Sequence, residues 1–129
     1  MTARADAPDG VINFRDTGGL PAADGVTRAG VLYRSANLAR LTTEGRAALG
    51  ALGVRRIVDL RSDDEVAWEP SLVEGLEVDV VRVPLLLGSV ASFFDRDVTL
   101  AELYRSLIHD AGDRVVAAAR GVLAAQPAL

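Results

Sequence analysis

The sequence predicts an α/β domain in which a central, mostly parallel sheet is flanked by helices. From Thr42 onward, stretches with helical spacing alternate with short apolar runs, which is the pattern of that class. The run of Ile57, Val58 and Leu60 is apolar and partly β-branched, as expected for a strand buried on both faces. Charged residues follow this run directly, and ligands of open α/β sheets bind just outside the carboxyl ends of the strands. We therefore expect the functional site at that end of the sheet.

The composition limits the class of protein. With 129 residues, 50% of them hydrophobic and 25% charged, the chain is typical of one globular domain or less. The formal net charge of −4 argues against a nucleic-acid partner. There is no cysteine, which excludes disulfides, thiolate zinc sites and a cysteine nucleophile within these residues. Since no apolar run reaches about 18 residues and the start does not resemble a signal peptide, we expect no membrane span and, by default, a cytoplasmic location.

The chain is predicted to divide into a short lead-in and a single domain. Residues 1–10 are rich in Ala, Asp, Pro and Gly and are predicted to be mobile. No internal repeat, low-complexity tract or linker interrupts residues 11–129, which we interpret as belonging to one α/β domain.

Residues 11–35 are predicted to hold two or three short strands around turns. The paired Gly18 and Gly19 suggest backbone dihedrals that other residues would resist. Asp24 and Gly25 form a two-residue turn signal of the kind that connects hairpin strands.

Two helices are predicted around the central strand. The first has Thr42 as its N-cap residue and Gly53 just past its end. The second opens on acidic residues at Asp63, continues through Trp68 and is stopped by Pro70. We expect Trp68 to be a packing residue.

The second half of the chain continues the alternation. Residues 76–84 form a second clear strand, and the apolar stretch 85–94 is interpreted as a loop or loose turn. Thr99 and Glu102 make a capping box in front of an amphipathic helix, and a further helix spans about 113–125.

The order of these elements indicates a fold that is only partly present. After a strand, a helix, a strand and a helical pair, a third core strand is due where Ala128 and Leu129 end the sequence. The loop after such a strand is a ready anion site, because free N–H groups and the helix dipole favour negative charge. The alternative is a small, complete domain whose last helix frays.

Several segments then occur in a recognisable order. They are N-F-R-D-T-G-G-L at 13–20, R-A-G-V-L-Y-R-S at 28–35, L-G-V at 52–54, V-D-L-R-S at 58–62, V-P-L at 83–85 and Y-R-S-L at 104–107. Together they resemble the bacterial atypical tyrosine and phosphoinositide phosphatases over nearly the whole chain after residue 10.

The resemblance implies a partial tyrosine-phosphatase-like fold, with residues 11–129 as its N-terminal portion and with the last core strand and the phosphate loop missing. It implies hydrolysis of phosphomonoesters through a Cys-phosphate intermediate, on phosphorylated proteins or phosphoinositides and without a cofactor. The family's catalytic loop, H-C-x-A-G-K-D-R-T-G, would follow the next strand and is absent here. We therefore expect this chain, whether a truncated gene product or a short protein in its own right, to be inactive alone. The alternatives are a pseudophosphatase or phospho-ligand binding module, and an interaction domain with an unpaired sheet edge.

Asp59 and Arg61 are the candidate site residues at the end of the central strand. In an intact homologue Asp59 acts either as general acid for the leaving oxygen or as a residue that positions the phosphate loop. A general acid must hold its proton near neutral pH, which burial favours and the neighbouring Arg61 opposes. Arg61 either contacts phosphate, orients Asp59 or forms a purely structural ion pair.

Arg15 and Arg34 are the other candidate substrate-binding residues. Arg15 precedes the glycine-rich turn, and Arg34, with Ser35, ends a predicted strand as Asp59 and Arg61 do. The alternative for Arg15 is a structural role, in which a salt bridge with Asp16 holds the glycine-rich turn against the sheet. His109 is the single histidine, so it makes neither a triad nor a metal site, and we interpret it as a helix-end residue. No metal is predicted, and the sequence leaves the oligomeric state open.

Overall fold

The computed structural model describes residues 6–85 and 97–129. Short strands alternate with helices in it, which confirms the predicted α/β class. The strands are β1 (Arg15–Asp16), β2 (Pro21–Ala22), β3 (Gly25–Val26), β4 (Tyr33–Arg34), β5 (Arg56–Asp59) and β6 (Asp79–Arg82). The helices are α1 (Thr43–Ala51), α2 (Asp63–Trp68), α3 (Leu100–Asp110) and α4 (Gly112–Ala124). Most of the predicted apolar stretch 85–94, and the first half of the lead-in 1–10, lie outside the described residues.

The central strand β5 pairs in parallel with β6, and its residue Asp59 lies opposite Arg82. A separate pair is formed by β1 and β4, which run antiparallel with Arg15 opposite Arg34. The parallel pair confirms the predicted sheet type, and its carboxyl end presents Asp59 where the sequence predicts the functional site.

The last residues of the chain join these two pairs. Ala128, which is fully buried, forms parallel bridges to both Leu32 and Arg56. Tyr33 N–H donates to the Ala128 carbonyl at 2.8 Å, and Val58 N–H donates to the Leu129 carbonyl at 2.8 Å. The terminal segment 127–129 therefore lies between β4 and β5, in the position that the sequence predicts for a third core strand.

The hairpin of β2 and β3 is formed one residue earlier than the sequence predicts. Pro21 pairs with Val26, and the turn residues are Ala23 and Asp24 rather than Asp24 and Gly25. The left-handed φ of 48° falls on Ala23, while Gly25 lies in the strand. The residue with the greatest conformational freedom is thus not the residue that the turn uses.

Helix α1 begins and ends as predicted. The Thr42 side chain accepts a hydrogen bond from Gly45 N–H at 3.0 Å, and Gly53, just past the helix, takes a left-handed φ of 71°. Part of the predicted lead-in packs here, because Pro8 is fully buried and the Asp9 carboxylate accepts a hydrogen bond from the Thr42 hydroxyl at 2.8 Å. The division at residue 10 stays a prediction.

The core lies between α1 and the sheet. The rings of Phe14 and Tyr33 stack with their centroids 5.2 Å apart, which ties β4 to the segment before β1. Burial of these side chains, mostly aliphatic, is the main force that holds the strand ends in place. The buried cluster consists of Val11, Phe14, Tyr33, Leu38, Leu41, Leu49, Val54 and Ile57.

Helices α3 and α4 form a pair in which α4 also contacts β5. The predicted capping box of α3 is confirmed, since the Thr99 hydroxyl and the Glu102 carboxylate satisfy each other's backbone N–H groups. A Cβ at Gly121 would lie 3.4 Å from Cγ2 of Val58, which is an ordinary contact distance, so α4 packs directly against β5 at this position. No helix in the described ranges combines the length and apolar character that crossing a bilayer requires.

The prediction that Trp68 is a packing residue is wrong, because 86% of its surface is exposed. Helix α2 is six residues long and turns the half-buried Val66 toward the protein. Side chains two positions apart differ by about 200° around a helix axis, so Trp68 points away from the side on which Val66 lies. This places Trp68 on the outer face of α2.

Candidate functional site

A cleft of about 360 Å³ opens at the carboxyl ends of β4 and β5, beside Leu129 of the terminal segment. One wall is polar and comes from the strand ends and the loops that follow them. The apolar lining comes from the strands, from Leu129 and from three residues of α4. The polar lining residues are Arg34, Ser35, Asn37, Asp59, Arg61 and Ser71, and the apolar lining includes Leu32, Val58, Ala118, Ala119, Val122 and Leu129.

Asp59 and Arg61 form a bidentate ion pair on the polar wall. Arg61 Nε donates to Asp59 Oδ1 at 3.0 Å, and Nη2 donates to Oδ2 at 2.8 Å. The backbone N–H of Arg61 donates to the same Oδ1 at 3.1 Å. The Asp59 side chain is 9% exposed, so the pair is shielded from water and its geometry is fixed.

The Arg61 guanidinium also holds the chain that follows α2. Nη1 donates to the Glu69 carbonyl at 2.6 Å, and Nη2 donates to the Ser71 hydroxyl at 3.1 Å. Most of its N–H groups are therefore directed at protein acceptors. Arg61 connects the end of β5 to the end of α2 and closes one side of the cleft.

The charge state of Asp59 follows from these contacts. Burial raises the pKa of the Asp59 carboxyl, but hydrogen bonds from the Arg61 side chain and backbone, with the charges of Arg61 and Arg82, outweigh burial and leave that pKa below its ordinary value. The hydrogen bond to Asp59 in turn raises the pKa of Arg61. In this arrangement Asp59 is an ionised acceptor at neutral pH and holds no proton to donate.

Arg82 is a member of this cluster that sequence reasoning missed. It ends β6, opposite Asp59, and its guanidinium contacts both the Asp63 carboxylate at 2.8 Å and the Arg61 carbonyl at 3.4 Å. The sequence offered one indication of its role, because Arg82 lies near the end of the second predicted strand. The carboxyl ends of neighbouring parallel strands meet at one edge of a sheet.

Arg34 lies exposed at the rim of the cleft, directly after Tyr33 at the end of β4. Its side chain makes no hydrogen bond or ion pair with the residues that the structure describes, and its ladder pairing with Arg15 is made by the backbone. Arg15 is its partner across the β1–β4 ladder and does not line the cleft itself. Since directly opposed residues of antiparallel strands share a face, the two guanidinium groups belong to one side of the sheet.

The glycine-rich turn is held by Asp16, although not through Arg15. Asp16 Oδ1 accepts from Gly18 N–H and Oδ2 accepts from Gly30 N–H, both at 2.8 Å. Arg15 instead donates to the Asn13 carbonyl at 3.0 Å. One carboxylate thus fixes the turn against the strand that leads to Arg34.

His109 lies exposed in the last turn of α3, as the sequence predicts, and does not line the cleft. The structure thus brings Asp59, Arg61 and Arg34 to one cleft and leaves Arg15 beside it. The functional roles of these four residues stay predictions.

Two comparisons, one with a family model and one with individual proteins, give the same family. The model of the tyrosine phosphatase family matches residues 7–129. The chain is 42% identical over 77 residues to the triple specificity protein phosphatase PtpB of Mycobacterium tuberculosis, an alignment that covers 58% of this chain and 27% of that protein. It is 39% identical over 84 residues to a Cupriavidus necator protein named "Putative tyrosine-protein phosphatase", covering 64% of this chain and 30% of the relative. The matched part is thus less than a third of each relative.

Proposed function

Because this chain belongs to the tyrosine phosphatase family, we propose that its cleft forms one wall of a phosphomonoester-binding site and receives the phosphate group of a phosphorylated protein or phosphoinositide. The observation that carries the proposal is the position of Arg34. Its guanidinium stands at the rim of the cleft, at the carboxyl end of a strand, without a partner among residues 6–85 and 97–129. A planar guanidinium there can donate two parallel hydrogen bonds to phosphoryl oxygens.

We propose that Arg61 works as a positioning residue and Asp59 as its fixed acceptor. The guanidinium of Arg61 is already directed at Asp59, Glu69 and Ser71, which leaves little of it for a substrate. An ionised Asp59 cannot protonate a leaving oxygen, but it can accept hydrogen bonds from a loop or ligand beside it. General acid catalysis by Asp59 would need a change that separates it from Arg61.

We assign Arg15 a supporting role in binding. Its side chain shares a face with Arg34, and two neighbouring cations raise the local attraction for an anion more than one does. We expect Arg15 to matter most for a ligand that carries a second negative group.

The reaction typical of the family needs a thiolate that attacks phosphorus, and this sequence contains no cysteine. We therefore propose that these 129 residues bind phosphorylated ligands but do not turn them over by themselves. The second candidate function is a pseudophosphatase or phospho-ligand binding module, for which binding without turnover is the role of the protein itself. It is favoured by Arg34, whose side chain has no partner among the described residues.

Phenyl phosphate tests the proposal as a ligand and as a substrate. We expect saturable chemical-shift changes in the backbone amide signals of Arg34, Ser35 and Asn37, and phosphate release at the background rate. Arg34→Met should abolish the saturable changes. Arg55→Met is the matched control, because Arg55 is exposed next to the amino end of β5, away from the cleft.

Two results would contradict the proposal. Absence of saturable changes at about 10 mM ligand, a concentration that detects even weak sites, would remove the binding site. Phosphate release well above background, and lost on substitution of Asp59 or Arg61, would show that the described residues carry catalysis.

A further inference from the structure

Trp68 is the single tryptophan of the chain, and 86% of its surface is exposed on the outer face of α2. A side chain of this size is usually well buried, since water is a poor solvent for the indole ring. Exposed tryptophans are also enriched among the residues that dominate binding energy in protein interfaces. A tryptophan exposed in this way is a candidate contact for a binding partner.

Trp68 borders a groove of about 320 Å³ that is separate from the cleft. Arg61 and Asn37 line both, so the two depressions share a wall. The residues that line the groove are Asn37, Arg61, Asp64, Glu65, Trp68 and Glu69.

The groove is negatively charged. Arg61, the one cation among the described lining residues, is already paired with Asp59, so the carboxylates of Asp64, Glu65 and Glu69 determine the field. Asp64 is exposed, and its carboxylate makes no hydrogen bond or ion pair with the described residues. An acidic ligand would be repelled here, and an uncharged apolar ligand would remove water from carboxylates without replacing its hydrogen bonds.

Hydrogen bonds hold two of the carboxylate residues of the groove in place. Glu69 Oε2 accepts a hydrogen bond from Asn37 Nδ2 at 2.9 Å, and the Glu69 carbonyl accepts one from Arg61. Glu65 is held by the capping box with Ser62 at the start of α2. A ligand would therefore meet walls that are already ordered, which lowers the entropy cost of binding.

We propose that this groove binds an arginine side chain presented by a basic segment of a partner protein. A guanidinium stacks on the face of an indole and is attracted by its quadrupole, and the N–H groups at its edge then reach the Asp64 carboxylate. Arginine fits better than lysine, because a guanidinium is planar and more weakly hydrated than an ammonium group. The proposal does not depend on phosphate binding in the cleft.

The fluorescence of the chain tests the proposal directly, because Trp68 is the only tryptophan and lies in the groove. The probe is a blocked peptide with two arginines separated by glycine, titrated into the intact chain. We expect a saturable change in emission with a Kd on the order of 1 mM. The same peptide with glutamate in place of arginine should give none.

Two variants of α2 separate the groove from general charge attraction. Asp64→Asn should weaken peptide binding by about threefold or more, because it removes the free carboxylate. Asp63→Asn makes the same change of charge one residue earlier, at a side chain that pairs with Arg82 and does not line the groove, and should leave binding unchanged. Trp68→Leu, followed by calorimetry, should abolish binding.

Three results would overturn the proposal. The first is absence of saturation at about 10 mM peptide. The second is equal weakening by the two asparagine variants, which would mean unspecific attraction to an acidic surface. The third is a concentration-dependent dimer that Trp68→Leu abolishes, since the occupant of the groove would then be a second copy of this chain.

Discussion

Arg61 donates to both carboxylate oxygens of Asp59, with Nε 3.0 Å from Oδ1 and Nη2 2.8 Å from Oδ2. The pair spans only two positions of the chain, so it shapes the turn at the end of β5. Because the same guanidinium also donates to Glu69 and Ser71, one side chain fixes both the polar wall of the cleft and the end of α2. The cleft and the stability of the domain therefore depend on the same contacts.

Arg61→Lys should destabilise the protein by about 2–3 kcal/mol, although the charge is kept. A lysine ammonium cannot meet two carboxylate oxygens, a carbonyl and a hydroxyl from one position, so buried acceptors lose their donors. The measurement is the free energy of unfolding in urea. Arg55→Lys, at an exposed arginine, should change that free energy by less than about 0.5 kcal/mol. Equal effects of the two substitutions would show that the contacts of Arg61 contribute nothing.

Acid should weaken the domain through Asp59. The pKa of this carboxyl is lower in the folded protein than in the unfolded chain, so the folded state binds the proton less readily. The stabilisation is fully present above the ordinary aspartate pKa of about 4 and is lost as the pH falls through the lower, folded pKa. Unfolding free energies at pH 7 and in the acid range should therefore differ more for the wild-type protein than for Asp59→Asn.

Asp24→Asn is the control for the acid experiment, since Asp24 is exposed in the turn between β2 and β3. It should keep the pH dependence of the wild-type protein. A pH dependence that is identical in the wild-type protein and Asp59→Asn would contradict the assignment of the acid-labile contact to Asp59.

The parts of this fold that the sequence predicted are those whose cause is local. Thr42 caps α1, and Thr99 and Glu102 cap α3, because each contact joins residues three positions apart. The exposure of Trp68 was not predictable in this way, because it depends on which face of a six-residue helix meets the protein. Hydropathy alone assigns tryptophan to the core.

The candidate site was predicted in part, for a related reason. Asp59 and Arg61 follow an apolar run, and this local pattern marks a strand end. The contribution of Arg82 depends on the register between β5 and β6, and the link from Asn37 to Glu69 joins distant segments. A single sequence does not encode either relation in a short pattern, because both arise from tertiary packing.

Asp16→Asn should destabilise the turn before β2 by about 1–3 kcal/mol. The two carboxylate oxygens each accept a backbone N–H, from Gly18 and from Gly30, and an asparagine offers only one acceptor oxygen. The amide N–H₂ would face an N–H donor, so one contact becomes repulsive. The measurement is urea unfolding together with hydrogen exchange at the Gly30 amide, which should become faster. Unchanged exchange at Gly30 would show that water replaces the carboxylate without cost.

Two glycines of α1 should respond to alanine with opposite signs. A Cβ at Gly45 would lie 2.1 Å from the carbonyl oxygen of Asp9, so Gly45→Ala must push the packed N-terminal segment off the helix. We expect a loss of about 2 kcal/mol or more in unfolding free energy, because a backbone atom cannot give way as a side chain does. A Cβ at Gly50 would meet only Leu76 Cδ2, at 3.8 Å, so Gly50→Ala should stabilise the protein by about 0.5–1 kcal/mol through helix propensity. Stabilisation by both substitutions would mean that residues 8–10 do not pack on α1 in solution, and the domain would then begin after the predicted lead-in.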